Sequence, residues 1–235
     1  KAAGIPTISY DRLIQNADTD LYISFDNEKV GQYMAEVLVE NIPEGGKIFM
    51  IQGPEEDNNV KLVRKGFEEG LEGSKIEVVY KTNCQGWLAE QAVDALNEGL
   101  KEFSDVKGIM CGNDDIASQV VNTLAETRRA GSLAVVGQDG DLAACQRIVE
   151  GTQYMTAFKP IEDLARKAAK YAVEMGSGKG VAELEDVTET VNDGTYEIPS
   201  CILEPTAVTK ENIDKVIIEG GFHRRDEVYL NADYS

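Results

Sequence analysis

The sequence predicts an α/β fold built on parallel sheets. Between residues 28 and 158, short β-rich runs alternate with longer helical patterns, which is the order typical of consecutive βαβ units. The runs are short and mostly apolar, as expected for strands that helices cover on both faces. The segments between them carry apolar residues at helical spacing along one side. Together these observations predict a doubly wound sheet over this part of the chain.

Five strands and four amphipathic helices follow from this pattern. The predicted strands are residues 47–52 (KIFMIQ), 76–80 (IEVVY), 108–111 (GIMC), 134–138 (AVVGQ) and 154–158 (YMTAF). The apolar stripes of the helices are Val30, Met34 and Val37; Val63, Phe67 and Leu71; Val93, Leu96, Leu100 and Phe103; and Ile116, Val120 and Leu124. Each stripe needs a sheet to pack against.

The two ends of the chain show a different pattern. Residues 4–10 (GIPTISY) and 22–24 predict strands, residues 161–175 a helix that ends in the run GSGKG, and residues 191–195 (VNDGT) a hairpin turn. One helix and a hairpin cannot cover a sheet on both faces. We therefore expect these pieces to be a remnant of a lobe whose other elements precede Lys1.

Charge excludes several classes of partner. The chain has 42 acidic and 23 basic residues and a formal net charge of -19, which repels phosphate backbones and anionic membrane surfaces. Nucleic-acid binding is therefore not expected. No apolar run approaches the roughly 20 residues that cross a bilayer.

The four cysteines are scattered and include no CxxC pair, which favours neither a zinc site nor a dense disulfide scaffold. They are Cys84, Cys111, Cys145 and Cys201. We interpret them as buried free thiols, although the even number also allows one or two disulfides. Asp139-Gly140-Asp141 resembles the start of a calcium loop but lacks the remaining ligand spacing. No metal site or cofactor is predicted.

Polar and aromatic residues follow the predicted strands, where parallel sheets place their ligands. Carboxylates, carboxamides and basic side chains bind sugar hydroxyls, and an indole can stack on the apolar face of a sugar ring. The candidate site residues are Asp11, Arg12, Asp57, Asn58, Asn59, Trp87, Asn113, Asp139 and Lys159.

Each candidate also has a purely structural interpretation. Asp57 or Asn58 can cap a helix over residues 59–72, Asp114 or Asp115 a helix over residues 116–128, and Asp141 the helix after it. Arg12 and Lys159 can be solvated surface charges, and large aromatic residues often pack in cores. Trp87 nevertheless lies in a hydrophilic loop, which favours ligand contact.

Catalysis is not predicted. The chain has one histidine, His223, far along the sequence from the candidate residues, and it has no GxSxG, GxxxxGK[ST] or GxGxxG motif after a strand. A sugar isomerase or glycosidase is therefore a minor alternative.

Several motifs resemble, in order, the periplasmic sugar-binding proteins of ABC transporters, and most closely the xylose-binding members of that family. They are Tyr10-Asp11-Arg12, residues 22–31 (YISFDNEKVG), Asp57-Asn58-Asn59, Gly86-Trp87-Leu88, Asn113-Asp114, Gly137-Gln138-Asp139, Gly151-Thr152-Gln153, Lys159-Pro160 and Gly221-Phe222-His223. The resemblance covers essentially the whole chain.

The resemblance implies two doubly wound parallel-sheet lobes of the type I periplasmic-binding fold, with a sugar between them and closure on binding. Residues 1–25 and 160–197 would then be a remnant of the N-terminal lobe, and residues 26–159 and 198–235 the C-terminal lobe. Family members begin with further βα units, so the first lobe is expected to be incomplete at its N-terminus. Lys1 is not assigned the role of the family's basic residue near the start.

The resemblance further implies a solute-binding protein that captures a monosaccharide, xylose or a similar aldopyranose, and delivers it to a membrane permease. The expected location is outside the cytoplasm, in the periplasm or lipid-anchored at the outer face of the membrane. A sugar receptor for a membrane kinase and the effector-binding core of a lactose-repressor-type regulator remain alternatives. A missing N-terminal segment or a second chain is a possible further partner.

Overall fold

The computed structural model describes residues 3–232 and confirms the α/β fold. Two compact units are present: one comprises residues 3–26 and Lys159–Pro205, and the other Asn27–Phe158 and residues 206–232. Lys1 lies outside the described residues.

Strands and helices alternate along most of the chain. The strands are β1 (Ile8–Tyr10), β2 (Leu21–Phe25), β3 (Gly46–Gln52), β4 (Ile76–Asn83), β5 (Gly108–Cys111), β6 (Ala134–Gln138), β7 (Met155–Phe158), β8 (Glu189–Asn192), β9 (Glu197–Leu203) and β10 (Thr206–Val208). The helices are α1 (Asn27–Asn41), α2 (Asn58–Gly70), α3 (Gln91–Glu102), α4 (Asp114–Glu126), α5 (Leu142–Glu150), α6 (Ile161–Gly176) and α7 (Arg225–Val228). Short 3-10 turns span Gln85–Trp87 and Val181–Glu183, and a π-helical turn spans Asp214–Ile218.

The second unit is built on a six-stranded sheet in the order β10-β7-β6-β5-β3-β4, in which β10 alone is antiparallel to its neighbour. Alternate residues of β3 face opposite sides: Ile48 and Met50 pack with α1 and α2, whereas Phe49 and Ile51 pack with α3 and α4. This sheet is therefore covered on both faces, as its apolar strands predict.

Helices α1 and α2 approach closely because glycines face each other at their crossing. A Cβ atom on Gly31 would lie 2.0 Å from the carbonyl oxygen of Val63, and one on Gly66 would lie 1.9 Å from that of Glu28. Any larger side chain at either position would force the two helices apart.

The first unit has a four-stranded sheet in the order β1-β2-β9-β8, with β8 antiparallel to β9 and the other pairs parallel. Leu164, Tyr171 and Met175 of α6 pack against Leu21 and Ile23 of β2. The hairpin predicted at residues 191–195 is confirmed, since β8 and β9 flank that turn.

One predicted domain boundary is wrong. The resemblance places residues from 198 onward in the second lobe, but β9 pairs in parallel with β2, with Ser200 opposite Tyr22, and so lies in the first unit. The chain enters the second unit at Thr206, where β10 joins the edge of the large sheet beside β7. The predicted strand over residues 4–10 is also shorter, because only Ile8–Tyr10 pairs with β2.

The four cysteines are free and buried, which confirms that interpretation over disulfides. Within residues 3–232, no group of three or more histidine, cysteine or acidic side chains is arranged to hold a metal ion. No helix over the same residues combines the length and the apolar character needed to cross a membrane.

Candidate functional site

The carboxyl ends of the parallel strands form one edge of the sheet in the second unit. Six of the predicted site residues lie there, each after the end of a strand: Asp57, Asn58 and Asn59 after β3, Trp87 after β4, Asn113 after β5 and Asp139 after β6. Because β6, β5, β3 and β4 are consecutive neighbours, the loops that carry these residues are also neighbours. Open α/β sheets place ligands at this edge.

Asp57 and Trp87 are in direct contact. The Asp57 carboxylate caps α2 by accepting the backbone N–H of Asn59 at 3.0 Å. Its other oxygen accepts the indole N–H of Trp87 at 3.2 Å. The capping interpretation of Asp57 is therefore correct.

Trp87 has an unusual backbone and a constrained ring. Its φ of 60° is a genuine outlier for so bulky a residue. The ring lies on the backbone of Gly53, where a Cβ would approach its Cη2 atom to 2.4 Å. The half-buried indole also packs against the apolar cluster that includes Cys84 and Ala92. Trp87 thus has a partly structural role, while its remaining surface is accessible.

Asn58 and Asn59 form the first turn of α2 and are half-buried. The Oδ1 atom of Asn59 is buried and has no hydrogen-bond partner among the described residues. Buried polar atoms are nearly always paired, so an orphaned acceptor needs an explanation such as a bound ligand or water. A hydroxyl group placed beside it would satisfy this atom.

Asn113 caps α4, and the caps predicted at Asp114 or Asp115 are wrong. Asn113 has an extended backbone, and its Oδ1 accepts the N–H of Ile116 at 2.9 Å. The helix therefore begins at Asp114, two residues before Ile116, where the apolar stripe begins. Asp141 occupies the N-cap position of α5, but its exposed side chain makes no cap bond.

Asp114 instead organises a buried network that sequence reasoning missed. Its carboxylate accepts the backbone N–H groups of Gly140 at 3.0 Å and Asp141 at 3.1 Å, the hydroxyl of Thr156 at 2.7 Å and the amide of Gln153 at 2.9 Å. Burial raises the pKa of Asp114 to about 7, although the donors from Thr156 and Gln153 oppose this shift. The sequence signal for this network was the position of Asp114 directly after Asn113, at the end of a predicted strand.

The guanidinium of Arg147 supports the same network from α5. It donates to Gln153 Oε1 at 2.9 Å, to Ser118 Oγ at 2.8 Å and to the backbone oxygen of Asp114 at 3.2 Å. Burial lowers the pKa of Arg147, while the nearby Asp114 carboxylate opposes this shift.

Asp139 stands at the end of β6 with a φ of 108°, a sparsely populated backbone conformation for a residue with a side chain. Its backbone N–H donates to Ala157 at 2.9 Å, and the residue is half-buried. The adjacent Gly140 and Asp141 are held by Asp114. The surrounding structure therefore fixes a strained aspartate at the edge of the sheet.

Two buried glutamines lie behind this edge, and sequence reasoning missed both. Gln52 and Gln138 end strands β3 and β6 and line a cavity of about 10 Å³, roughly the space of one water molecule. The amide of Gln138 donates to the carbonyl of Gly112 at 2.5 Å. The Oε1 atom of Gln52 is buried and has no partner among residues 3–232.

The remaining predicted residues lie in the first unit. Asp11 follows β1 with a φ of 61°, and its carbonyl accepts the hydroxyls of Ser24 at 2.7 Å and Tyr22 at 3.2 Å. Arg12 forms a 3.0 Å ion pair with Asp11, and its side chain is 58% exposed, close to the surface-charge interpretation. Lys159 is half-buried and comes directly after β7.

Comparison with known proteins decides the family. The family model described as "Periplasmic binding protein domain" matches residues 1–180. The chain belongs to the periplasmic binding protein family. Among members of the family, the D-xylose-binding periplasmic protein of Haemophilus influenzae is 41% identical over 234 residues, and that of Escherichia coli is 39% identical over 233 residues. Each alignment covers 97% of this chain and 69% of the relative.

A solved periplasmic binding protein has the same fold. The ABC transporter solute-binding protein of Clostridium phytofermentans, with bound β-D-glucose, superposes with a TM-score of 0.82 at 27% identity. The match covers 97% of this chain and 76% of that protein. The predicted membership of the family and the predicted fold class are therefore confirmed.

Proposed function

We propose that this protein captures a monosaccharide, xylose or a similar aldopyranose, and delivers it to the permease of an ABC transporter. The two relatives at 41% and 39% identity are D-xylose-binding periplasmic proteins, which supports a pentose as the first ligand to test. The similar solved protein holds glucose, so a hexose is the next ligand to test.

The contact between Trp87 and Asp57 is the observation that most supports sugar binding. The indole offers a flat apolar surface, and the carboxylate beside it offers hydrogen-bond acceptors at the edge of the sheet. A sugar ring has the complementary chemistry, with C–H groups on its faces and hydroxyls around its rim. The unpaired Oδ1 of Asn59, two residues after Asp57, supplies a further acceptor for a hydroxyl.

Binding without chemical conversion fits the residues at this edge. Its carboxylates and carboxamides are bound to helix ends and backbone groups, as in the caps formed by Asp57 and Asn113. The single histidine is engaged with a backbone carbonyl. Interaction energy with the sugar then serves to favour the bound state of the protein rather than to lower a chemical barrier.

Asp11, Arg12 and Lys159 are proposed as further sugar contacts, on the basis of the motifs that they share with the family. The proposed location is outside the cytoplasm, in the periplasm or anchored by lipid at the outer face of the membrane. The periplasmic names of both relatives support the first of these locations. A membrane sensor in place of a permease would use the same sugar site.

Calorimetric titration with xylose, glucose, ribose and galactose tests the proposal. We expect saturable heat from at least one aldopyranose, and its loss in the Asp57→Ala and Asn59→Ala variants. Lys47→Ala is the matched control, because Lys47 forms an exposed ion pair with Asp105 near the opposite ends of the strands. An absence of heat from all four sugars would overturn sugar capture.

A further inference from the structure

The C-terminal segment of the second unit reaches back to the loop that carries Asp139. His223, the only histidine of the chain, lies with Nε2 2.8 Å from the carbonyl oxygen of Gly140, 83 residues away in sequence. A carbonyl oxygen only accepts, so Nε2 carries the proton in this contact. Both the neutral Nε2–H tautomer and the imidazolium can make this bond.

The local backbone aims His223 at this loop. The π-helical turn Asp214–Ile218 ends with the carbonyl of Ile217 accepting two N–H groups, from Phe222 at 2.9 Å and His223 at 3.3 Å. Gly221, directly before Phe222, has a φ of 79°, a conformation that favours glycine. Ile217 is fully buried, so the turn is anchored in the core.

Aromatic packing holds the same loop from a second direction. The ring of Phe222 lies 4.7 Å from that of Phe158 and 4.4 Å from that of His223. Phe158 in turn covers Gly140, where a Cβ would come within 2.8 Å of its ring. The contact between Phe222 and Phe158 therefore joins the segment to the end of β7, and the ring of Phe222 also packs on His223.

Gly140 is thus held by five neighbours at once. Its N–H donates to Asp114 and Thr156, both at 3.0 Å. Its carbonyl accepts from His223 at 2.8 Å and more weakly from the thiol of Cys145 at 3.6 Å, and a Cβ here would meet the ring of Phe158. The preceding residue, Asp139, has a φ of 108°, a conformation that persists when its surroundings restrain it. The bond from His223 is the shortest restraint on the Gly140 carbonyl, which also accepts from the Cys145 thiol at 3.6 Å.

We propose that His223 is a positioning residue that fixes the Asp139 carboxylate for hydrogen bonding to the sugar, which rests on the sugar-binding function proposed above. His223 does not touch the ligand in this proposal. It acts by holding the carbonyl of Gly140, which orients the Gly140–Asp141 peptide, while the bond from the Gly140 N–H to Asp114 holds the preceding peptide that joins Gly140 to Asp139. A binding site gains affinity when such groups are held in place before the ligand arrives.

The first test compares His223→Ala with His223→Gln. The alanine variant loses the donor, and we expect the dissociation constant for the preferred sugar to rise by roughly tenfold, as loss of one well-placed hydrogen bond allows. Glutamine presents an amide N–H at a similar distance along the side chain, so we expect it to restore most of the affinity. Equal affinity in the native protein and in His223→Ala would overturn the proposal.

Gln146→Ala is the matched control. Gln146 donates to the backbone oxygen of Glu227 at 2.9 Å, so it also ties the C-terminal segment to α5 without touching Gly140. We expect this variant to keep the native sugar affinity. If it weakens binding as much as His223→Ala does, general loosening of the segment is the cause and the specific role of His223 is overturned.

A double-mutant cycle with Asp139→Asn shows whether His223 acts through Asp139. In the Asp139→Asn background, His223→Ala should cost clearly less affinity than in the native background. Full additivity of the two losses would contradict the proposed coupling.

Amide hydrogen exchange provides a readout that needs no sugar. We expect faster exchange at Gly140 and Asp141 in His223→Ala, and native rates in Gln146→Ala and His223→Gln. If exchange responds in this way while the native protein binds no sugar, the proposed function fails although the restraint is real. If the native protein binds sugar but neither exchange nor affinity changes in His223→Ala, the positioning role alone fails.

Discussion

The carboxylate of Asp114 accepts the backbone N–H of Gly140 at 3.0 Å and so links the first turn of α4 to the loop after β6. Asp114 is 1% exposed and also bonds Thr156, Gln153 and Asp141. A buried carboxylate with this many donors is difficult to replace, because any substitute leaves donors without acceptors. The neighbouring residues on either side of this link, Asn113 and Asp139, are proposed sugar contacts.

The substitution Asp114→Asn should destabilise the protein. Both oxygens of the carboxyl group accept hydrogen bonds, also when the group is protonated at pH 5, whereas the amide nitrogen of asparagine accepts none. At least one buried donor therefore loses its partner. We expect a loss of about 3 kcal/mol in the free energy of unfolding at pH 5, measured by urea denaturation. Asp115→Asn on the exposed face of the same turn is the control and should change little. Equal stability of the two variants would contradict the role of the network.

The advantage of the native protein over Asp114→Asn should depend on pH. Burial raises the folded-state pKa of Asp114 to about 7, above its value of about 4 in an unfolded chain. An acid whose pKa is higher in the folded than in the unfolded state contributes stability that is complete below about pH 4. This contribution is lost as the pH rises through about 7. The difference in unfolding free energy between the two proteins should therefore shrink from pH 4 to pH 8. A difference that grows over this range would refute the raised pKa.

Asp193 in the hairpin turn should show the opposite dependence. Burial alone would raise its pKa, but backbone N–H groups of Tyr196, Asp18, Thr195 and Ala17 lower it to about 2. Its contribution to stability is then present above about pH 4 and is lost as the pH falls through about 2. Asp193→Asn should be less stable than the native protein at pH 6, with a smaller difference near pH 2. Acid titration of both proteins by circular dichroism measures this.

The four buried cysteines should be unreactive in the folded protein. Burial raises the pKa of Cys84 to about 11 and that of Cys145 to about 12, and it raises the pKa of Cys111 still further. Because the thiolate is the reacting species, a disulfide reagent at pH 8 should label almost none of the native protein. All four thiols should react once guanidinium unfolds the chain. Rapid stoichiometric labelling of the native protein would show that a thiol is exposed.

Gly53→Ala should weaken sugar binding by displacing Trp87. A methyl group at this position would lie 2.4 Å from the Cη2 atom of the indole, so the ring must move away from its present place. We expect roughly tenfold weaker binding and a loss of about 1–3 kcal/mol in stability. Gly176→Ala is the control, because a methyl group there meets no atom within 4 Å at the end of α6. Unchanged sugar affinity in Gly53→Ala would show that sugar binding does not depend on the position of the Trp87 indole.

The spacing of apolar residues in the sequence predicts where the buried strands begin and end. Runs such as GIMC and AVVGQ are recovered with their exact limits as β5 and β6, because buried parallel strands have few alternatives to an apolar run. The candidate residues after these strands follow from the topology alone. The place of β9 beside β2 depends on pairing between residues far apart in sequence, and no local pattern contains that information.

Side-chain partnerships were harder to predict than element positions. An aspartate after a strand is equally suited to a cap, a ligand or a buried acceptor, and only packing separates Asn113, which caps, from Asp114, which is buried. The same limit applies to His223, whose partner Gly140 lies 83 residues away. Local propensity cannot show such contacts, because the surrounding fold creates them.

Trp87, half-buried over Gly53 and bonded to Asp57, is also the only tryptophan of the chain. Its emission can therefore be excited apart from that of the nine tyrosines and originates from one place. A change in the polarity or contacts of that indole will alter the colour and intensity of the light from the whole protein. The molecule thus carries its own optical reporter at the edge where the ligand is proposed to bind, without any added dye.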